Sequence, residues 1–422
     1  MSLLRRFTRW LTPGLGIKRW FVMLALGILL LVVTISLIVV ALLQGGYNNT
    51  LQLWIGALVG LGAGLWLITY GVVSLVRRFL QPYRQRHSGE VYDTLHRYSL
   101  AEKGVRVVAI GGGTGLPSVL RGLKPFTKNL TSVVTMADDG GSSGRLRTEM
   151  GVLPPGDLRN NIVALADDES LMAKLFQYRF ETGDLKGHAF GNLFISALEA
   201  VTGSIESALI ETERVLNITG RVLPSTLQDV NLAAWVIPPG GSEAVWVQGE
   251  SNITHMGGKV QQLCLEPGDV EAYAGSVDAI TRADMVVIGP GSLYTSILPN
   301  LLVQGIADAL RATDADIVYV CNVATQPGET EDFTVADHVL ALEKHIGRGV
   351  FNVVLANNAY PTENAGENTR YVPPVPATHD ILQRYQVTYA DLTDGERPWR
   401  HDPIKLAGAL LRLRNGTSSS VN

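Results

Sequence analysis

Cysteine is scarce in this chain: there are two in 422 residues, Cys264 and Cys321, neither in a CxxC or similar spacing, which excludes a disulfide framework and a structural zinc site. No HExxH pattern occurs either, since His338 and His345 stand seven apart, so zinc-protease chemistry is excluded. The first glycine-rich turn, GGGTG, is followed by no lysine and is not a P-loop. It also lacks the third glycine of a dinucleotide fingerprint: counted from Gly111, that place holds Leu116. A net charge of −4 without a long basic tract excludes nucleic acid as the expected partner. Charge is missing altogether from two long stretches, residues 20–43 and 51–76.

Each of these stretches exceeds the ~20 residues with which a helix crosses a bilayer, and neither has the short apolar core of a cleaved signal peptide. They predict a membrane anchor over residues 1–80, a hairpin of two transmembrane helices. Arg5, Arg6, Arg9, Lys18 and Arg19 precede the first run, Arg77, Arg78, Arg84 and Arg86 follow the second, and the connection is uncharged. The positive-inside rule then places both chain ends in the cytoplasm, so the expected location is the cell (inner) membrane, multi-pass, with the soluble domain cytoplasmic. Gly56, Gly60, Gly62 and Gly64 have a spacing that lets two helices approach. No ionisable residue lies in either run, which leaves a transport role without support. Residues 81–103 read as a juxtamembrane linker and 415–422 as a disordered tail.

Between residues 104 and 414, buried strand patterns alternate with helical ones, the signature of a Rossmann-like α/β domain with a mostly parallel sheet and helices on both faces. Strands are expected over 105–110, 131–137, 285–288, 317–320 and 350–355. Half-exposed antiparallel strands are expected over 232–237 and 244–247, on either side of a PPGGSE turn. The expected helices are 157–166, 171–180, 191–201 and 205–216, with Asp157 and Ser170 as caps.

Polar chemistry gathers where these strands end, the edge at which open α/β sheets bind ligands. Gly111, Gly112, Gly113, Thr114 and Gly115 form a strand-to-helix turn whose backbone N–H groups can approach a phosphate. After the second strand, Asp138 and Asp139 suit a ribose hydroxyl or Mg²⁺, with Asp139 the candidate metal ligand. Residues 140–144, with Ser142 and Ser143, read as a flexible or anion-binding loop, and Arg145 offers bidentate contacts to phosphate. Asp157, Arg159 and Asn160 follow a PPG turn, and Asp157 reads as a helix cap. In GHAFGNLF, His188 reads as a hydrogen-bonded structural group or an acid-base residue, and Asn192 as the better ligand contact.

A second strand-to-helix turn, GPGSLYTSILPN, repeats the logic of the first: Gly289, Gly291 and Ser292 would hold phosphate, and Tyr294 would stack on a base or sugar. Gln326, Glu329 and Thr330 follow the next strand and supply donors and acceptors at the same edge. Two phosphate turns point to a diphosphate or nucleotide-linked ligand. No Ser/His/Asp order or activated cysteine identifies a catalytic residue.

Taken in order, GGGTGLPSVLRGLK, ADDGGSSGRLR, LPPGDLRNNIVALA, GHAFGNLF, GPGSLYTSILPNLL and NVATQPGET resemble the YvcK family of the CofD-like superfamily, over about residues 105–413. The resemblance implies a gluconeogenesis factor that acts in cell shape and carbon metabolism and binds UDP-sugars. It further implies that the glycine turns, Asp138, Asp139, Ser142, Ser143, Arg145, Asn192, Ser292 and Tyr294 line the nucleotide site. Relatives in the CofD branch move a phospholactyl group from a nucleotide diphosphate donor to a deazaflavin, so the alternative expectation is a Mg²⁺-dependent transferase. The two added spans depart from the usual soluble members and shift the expected location to a membrane. The expected partners are a UDP-sugar or related nucleotide and the bilayer, and nothing in the letters opposes a homo-oligomer.

Overall fold

A computed structural model of the chain describes residues 18–43, 50–84, 104–167, 170–361 and 369–418. The basic residues before position 18, the uncharged connection 44–49 and most of the expected linker, 85–103, lie outside the described residues. The chain divides into two units, Met1–His96 and Arg97–Asn422.

In the first unit, α1 (Lys18–Leu43) and α2 (Thr50–Arg84) lie antiparallel. Their segments Arg19–Leu43 and Trp54–Val76 are long and apolar enough to cross a membrane, and Leu37, Leu58 and Trp66 are exposed on them. Because α2 runs on to Arg84, the first residues of the expected linker are helical instead. Two of the four expected glycines meet the facing helix. A Cβ on Gly60 would stand 2.6 Å from Thr34 Oγ1, and one on Gly64 2.7 Å from Leu31 Cδ2, whereas Gly56 and Gly62 face open space. With 3.6 residues per turn, Gly62 is rotated off the face that Gly60 and Gly64 share.

The second unit is built on seven parallel strands in the order β10-β9-β8-β7-β1-β2-β3. They are β1 (Val107–Gly111), β2 (Leu130–Val134), β3 (Arg221–Pro224), β7 (Met285–Ile288), β8 (Asp316–Val320), β9 (Val353–Asn357) and β10 (Gln386–Ala390). Apolar sequences such as VVAIG and MVVI are buried along their whole length, as central parallel strands covered on both faces must be. A smaller antiparallel sheet, β5-β4-β6, comprises β4 (Asn231–Ile237), β5 (Val245–Gln248) and β6 (Lys259–Glu266).

The helices between β1 and β3 are α3 (Leu116–Leu123), α4 (Gly141–Met150), α5 (Gly156–Leu165), α6 (Leu171–Gln177), α7 (Phe190–Thr202) and α8 (Ile205–Leu216). Then come α9 (Glu250–Met256), α10 (Ala274–Thr281), α11 (Leu298–Leu301), α12 (Ile306–Ala312), α13 (Val335–Ile346), α14 (Ile381–Arg384) and α15 (Pro403–Ser418). A π-helical turn, Leu293–Ile297, leads into α11. The apolar side chains of sheet and helices form a continuous core.

Several expectations change here. Residues 140–144 open α4 instead of forming a loop. Gly144 lies against the Asp139 backbone, where no Cβ fits, so glycine is needed for close packing and its low helix propensity is overridden. The helix expected to reach residue 180 stops at Gln177, where the chain turns into a short hairpin that pairs Arg179 with Ala189. β3, β6 and β10 have no counterpart among the expected strands; β3 is only four residues long and β10 is half-exposed, so neither shows a clear period. Helix α15 continues through Ser418, into the segment read as a tail, since each added residue extends the hydrogen-bond ladder of the docked turns. Residues 419–422 lie outside the described residues.

Candidate functional site

Chain connections run from β1 outward to β2 and β3, and from β7 outward through β8, β9 and β10, so strand order reverses between β1 and β7. Such a switch point opens a crevice at the carboxyl ends of the strands. Both glycine turns stand there and touch: a Cβ on Gly115 would meet the Pro290 carbonyl oxygen at 2.5 Å. Gly113 adopts φ +62°, a conformation that favours glycine. Asn300 ties the two turns together, its Nδ2 donating to Gly111 O at 2.9 Å and to Ser296 O at 2.8 Å. Beyond them lies a cavity of about 800 Å³ whose walls include Gly113, Thr114, Gly115, Gly291, Ser292 and Gln326. Gly111, Gly112 and Gly289 shape the turns from behind and do not face it.

Asp157 does not cap its helix. The α5 N-cap is Pro155, and the Asp157 carboxylate instead crosses Gly112 and accepts the Gly113 N–H. Asp138 faces it, accepting from Gly140 N at 2.9 Å and from Ser143, with its carboxylate over Gly156. Burial, reinforced by Asp138, pushes Asp157 up to about 7. Burial also raises Asp138, and Asp139 adds to the effect. Asp139 turns elsewhere: its Oδ1 accepts from Ser251 N at 2.9 Å, at the start of α9. The facing pair is therefore Asp138 and Asp157, in place of the sequence-adjacent Asp138 and Asp139.

The second glycine turn walls the cavity, and three of its donors are engaged within the chain. Gly289 N donates to Ile110 O at 2.8 Å, and Gly291 N to Asn322 Oδ1 at 3.1 Å. The Ser292 hydroxyl donates to Glu329 and accepts from Thr295 N at 3.2 Å, so it caps its own helical turn. Gly291 and Ser292 nevertheless line the cavity. Glu329 is buried and raised by that burial, and Gln326 Nε2 also donates to it, at 3.0 Å. Thr330 Oγ1 accepts from Gln326 N at 3.0 Å and holds that loop. Tyr294, 3% exposed, sets its ring edge-on against Phe333 and His345. It packs in the core and does not line the glycine-turn cavity.

Ser142, His188 and Asn192 form a separate group, with Ser142 Oγ 3.1 Å from His188 Nδ1 and accepting from Asn192 Nδ2 at 3.1 Å. Arg145 donates to Lys186 O at 2.8 Å, and Arg159 Nη2 to Asn160 Oδ1 at 2.6 Å. None of these lines the glycine-turn cavity.

A family model described as 2-phospho-L-lactate transferase CofD matches residues 107–393. The chain belongs to the CofD-like family. Within it, a Bacillus subtilis protein named gluconeogenesis factor is 46% identical over 314 residues, which cover 73% of this chain and 98% of its own. A Nostoc protein that carries this name provisionally is 43% identical over 433 residues, covering 97% of this chain and 92% of its own. The crystal structure of a UPF0052 family member from Bacillus halodurans superposes with a TM-score of 0.69 at 40% identity, over 74% of this chain and 99% of that one. This CofD-like member of the gluconeogenesis-factor group therefore shares its α/β fold with relatives that it covers almost from end to end.

Two parts of the cavity are not expected from the sequence. Glu250, in the first turn of α9, reaches its wall, and burial with the repulsion of Asp138 and Asp157 pushes it up to about 8. No local pattern marks it, because only the small sheet brings it there. The segment 394–403 closes the far side with Arg397, Trp399 and Arg400. It is anchored by His401, whose Nε2 lies 3.2 Å from Cys321 O. Two arginines and a tryptophan just after a final strand were a usable signal, at the same sheet edge.

Proposed function

We propose that the cavity between the glycine turns binds a nucleotide sugar, with a UDP-sugar the first candidate, and that the protein acts as a sensor in cell shape and carbon metabolism. The observation that carries this reading is the contact of Gly115 with the Pro290 backbone at the switch point between β1 and β7, beside a cavity large enough for a nucleotide. The guanidinium groups of Arg121, Arg397 and Arg400 suit a diphosphate, and Trp399, 38% exposed, offers the aromatic face that Tyr294 does not. The names of the relatives support the gluconeogenesis-factor role. Helices α1 and α2 are proposed to tether this domain to the cytoplasmic face of the cell membrane, on the charge asymmetry of their flanks.

The crowding of Asp138, Asp157 and Glu250 favours a cation-assisted transferase as the second reading. Among the described residues no three His, Cys, Asp or Glu side chains form a metal site by themselves. A Mg²⁺ held by one or two carboxylates and the phosphates of a nucleotide still fits this set, with Asp138 and Asp157 as its ligands, and would neutralise the leaving diphosphate. Titrating the full-length protein in detergent with UDP, UDP-glucose and UDP-N-acetylglucosamine, with Mg²⁺ and with chelator, tests both. Calorimetric binding without turnover is the expected result. Absence of binding by every uridine nucleotide overturns the first reading, and product formation lost in Asp138→Asn promotes the second.

A further inference from the structure

The group around Ser142, His188 and Asn192 has features that the nucleotide cavity does not use. Helices α4 and α7 both start without a side-chain cap, at Gly140 and Ala189, although in α7 the Phe190 and Asn192 N–H groups donate to Tyr178 O and Ala189 O. Their first turns face each other through the hydrogen bond from Asn192 to Ser142. Asn192 is 2% exposed, and its Oδ1, beside that bond, has no hydrogen-bond partner. A buried acceptor left unpaired is costly, and here it calls for a donor from outside the chain.

Three guanidinium groups gather around the same segment. Arg145 donates to Lys186 O and Arg179 Nη1 to Gly187 O, while a Cβ on Gly191 would touch Arg159 Cδ at 2.9 Å. None of the three pairs with a carboxylate among the described residues. Arg145 and Arg179 both act on His188, and Arg179 on Arg159, so the positive charges are close enough to feel one another. Asp138 and Asp157 offset part of the charge of Arg159, whereas Arg145 and Arg179 donate to backbone carbonyls, and guanidinium forks match phosphate best.

We infer that this is a second subsite, separate from the glycine-turn cavity, which binds the phosphate of a small hydroxylated molecule such as a sugar phosphate. The phosphate lies against Arg145, Arg159 and Arg179, and a neighbouring hydroxyl donates to Asn192 Oδ1. The inference rests on the nucleotide reading only in placing the nucleotide elsewhere. The anion has two sources, a free sugar phosphate or the phosphates of the nucleotide itself, and the subsite is assigned to the first.

The test is calorimetric titration of full-length protein in detergent with glucose 6-phosphate, alone and with saturating UDP, and with inorganic phosphate for comparison. Glucose 6-phosphate is expected to bind in both conditions and more tightly than inorganic phosphate. Arg145→Gln and Arg179→Gln, both at exposed positions, should each weaken it about tenfold, and Arg179→Gln should leave UDP affinity unchanged. Competition between UDP and glucose 6-phosphate overturns the inference, because the anion then belongs to the nucleotide. So does absence of binding, or binding that ignores both variants. If UDP fails to bind while glucose 6-phosphate binds as described, the nucleotide reading falls and the subsite stands.

Discussion

Asp157 lays its carboxylate across Gly112: a Cβ added to Gly112 would stand 2.5 Å from Asp157 Oδ2, and the same carboxylate accepts the Gly113 N–H. The glycine is needed for the acid as well as for the turn. Gly112→Ala should displace Asp157 and Thr135, lowering stability by ~1–3 kcal/mol and weakening UDP-sugar binding together. Denaturant unfolding and calorimetry measure the two effects, and a variant with wild-type values for both would show that the carboxylate is free to swing aside.

The pH dependence of stability follows from the same acids. In the unfolded chain Asp157 and Glu250 release their protons near the ordinary ~4, whereas in the folded chain they do so at about 7 and about 8. Their folded values are raised, so the stability they contribute is fully present below about pH 4 and is lost as pH rises through 7 and 8. Asp157→Asn and Glu250→Gln should therefore melt above wild type at pH 8 and beyond, by about 2 °C or more, and differ little at pH 4. Scanning calorimetry across this range decides it; a wild type that gains stability from pH 5 to 8, with the gain lost in the variants, would reverse the sign.

Tyr294 is a core residue, so its two substitutions should part ways. Tyr294→Ala should cost ~3–5 kcal/mol through the cavity left against Phe333 and His345. Tyr294→Phe keeps the ring and should bind UDP-glucose as wild type does. A tenfold loss of affinity in a stable Tyr294→Phe protein would return the phenol to the ligand.

Removal of residues 1–103 should move the protein from the membrane fraction to the soluble one, since the remaining chain matches relatives whose own length is almost fully covered. A reporter active only outside the cytoplasm and fused after Asn422 should be silent. Activity there would overturn the topology.

The strands VVAIG and MVVI, the Ser170 cap, the glycine turns and the two long apolar helices are all legible in the letters. These are local properties: β-branched runs, cap chemistry and glycine freedom act through the backbone of the residues that carry them. Tertiary structure alone decided where polar side chains spend their hydrogen bonds. Gly291 meets Asn322 and Ser292 meets Glu329 across more than thirty residues, which removes the donors that the letters of the second turn advertise. Asp157 leaves a cap it was free to form because the order of β1 and β2 brings Gly113 within its reach, and Tyr294 turns inward because Phe333 and His345 enclose it. A hydrogen bond or a packed ring depends on which distant partner the fold holds at bonding distance, and that is set by strand order, which no local window of sequence contains.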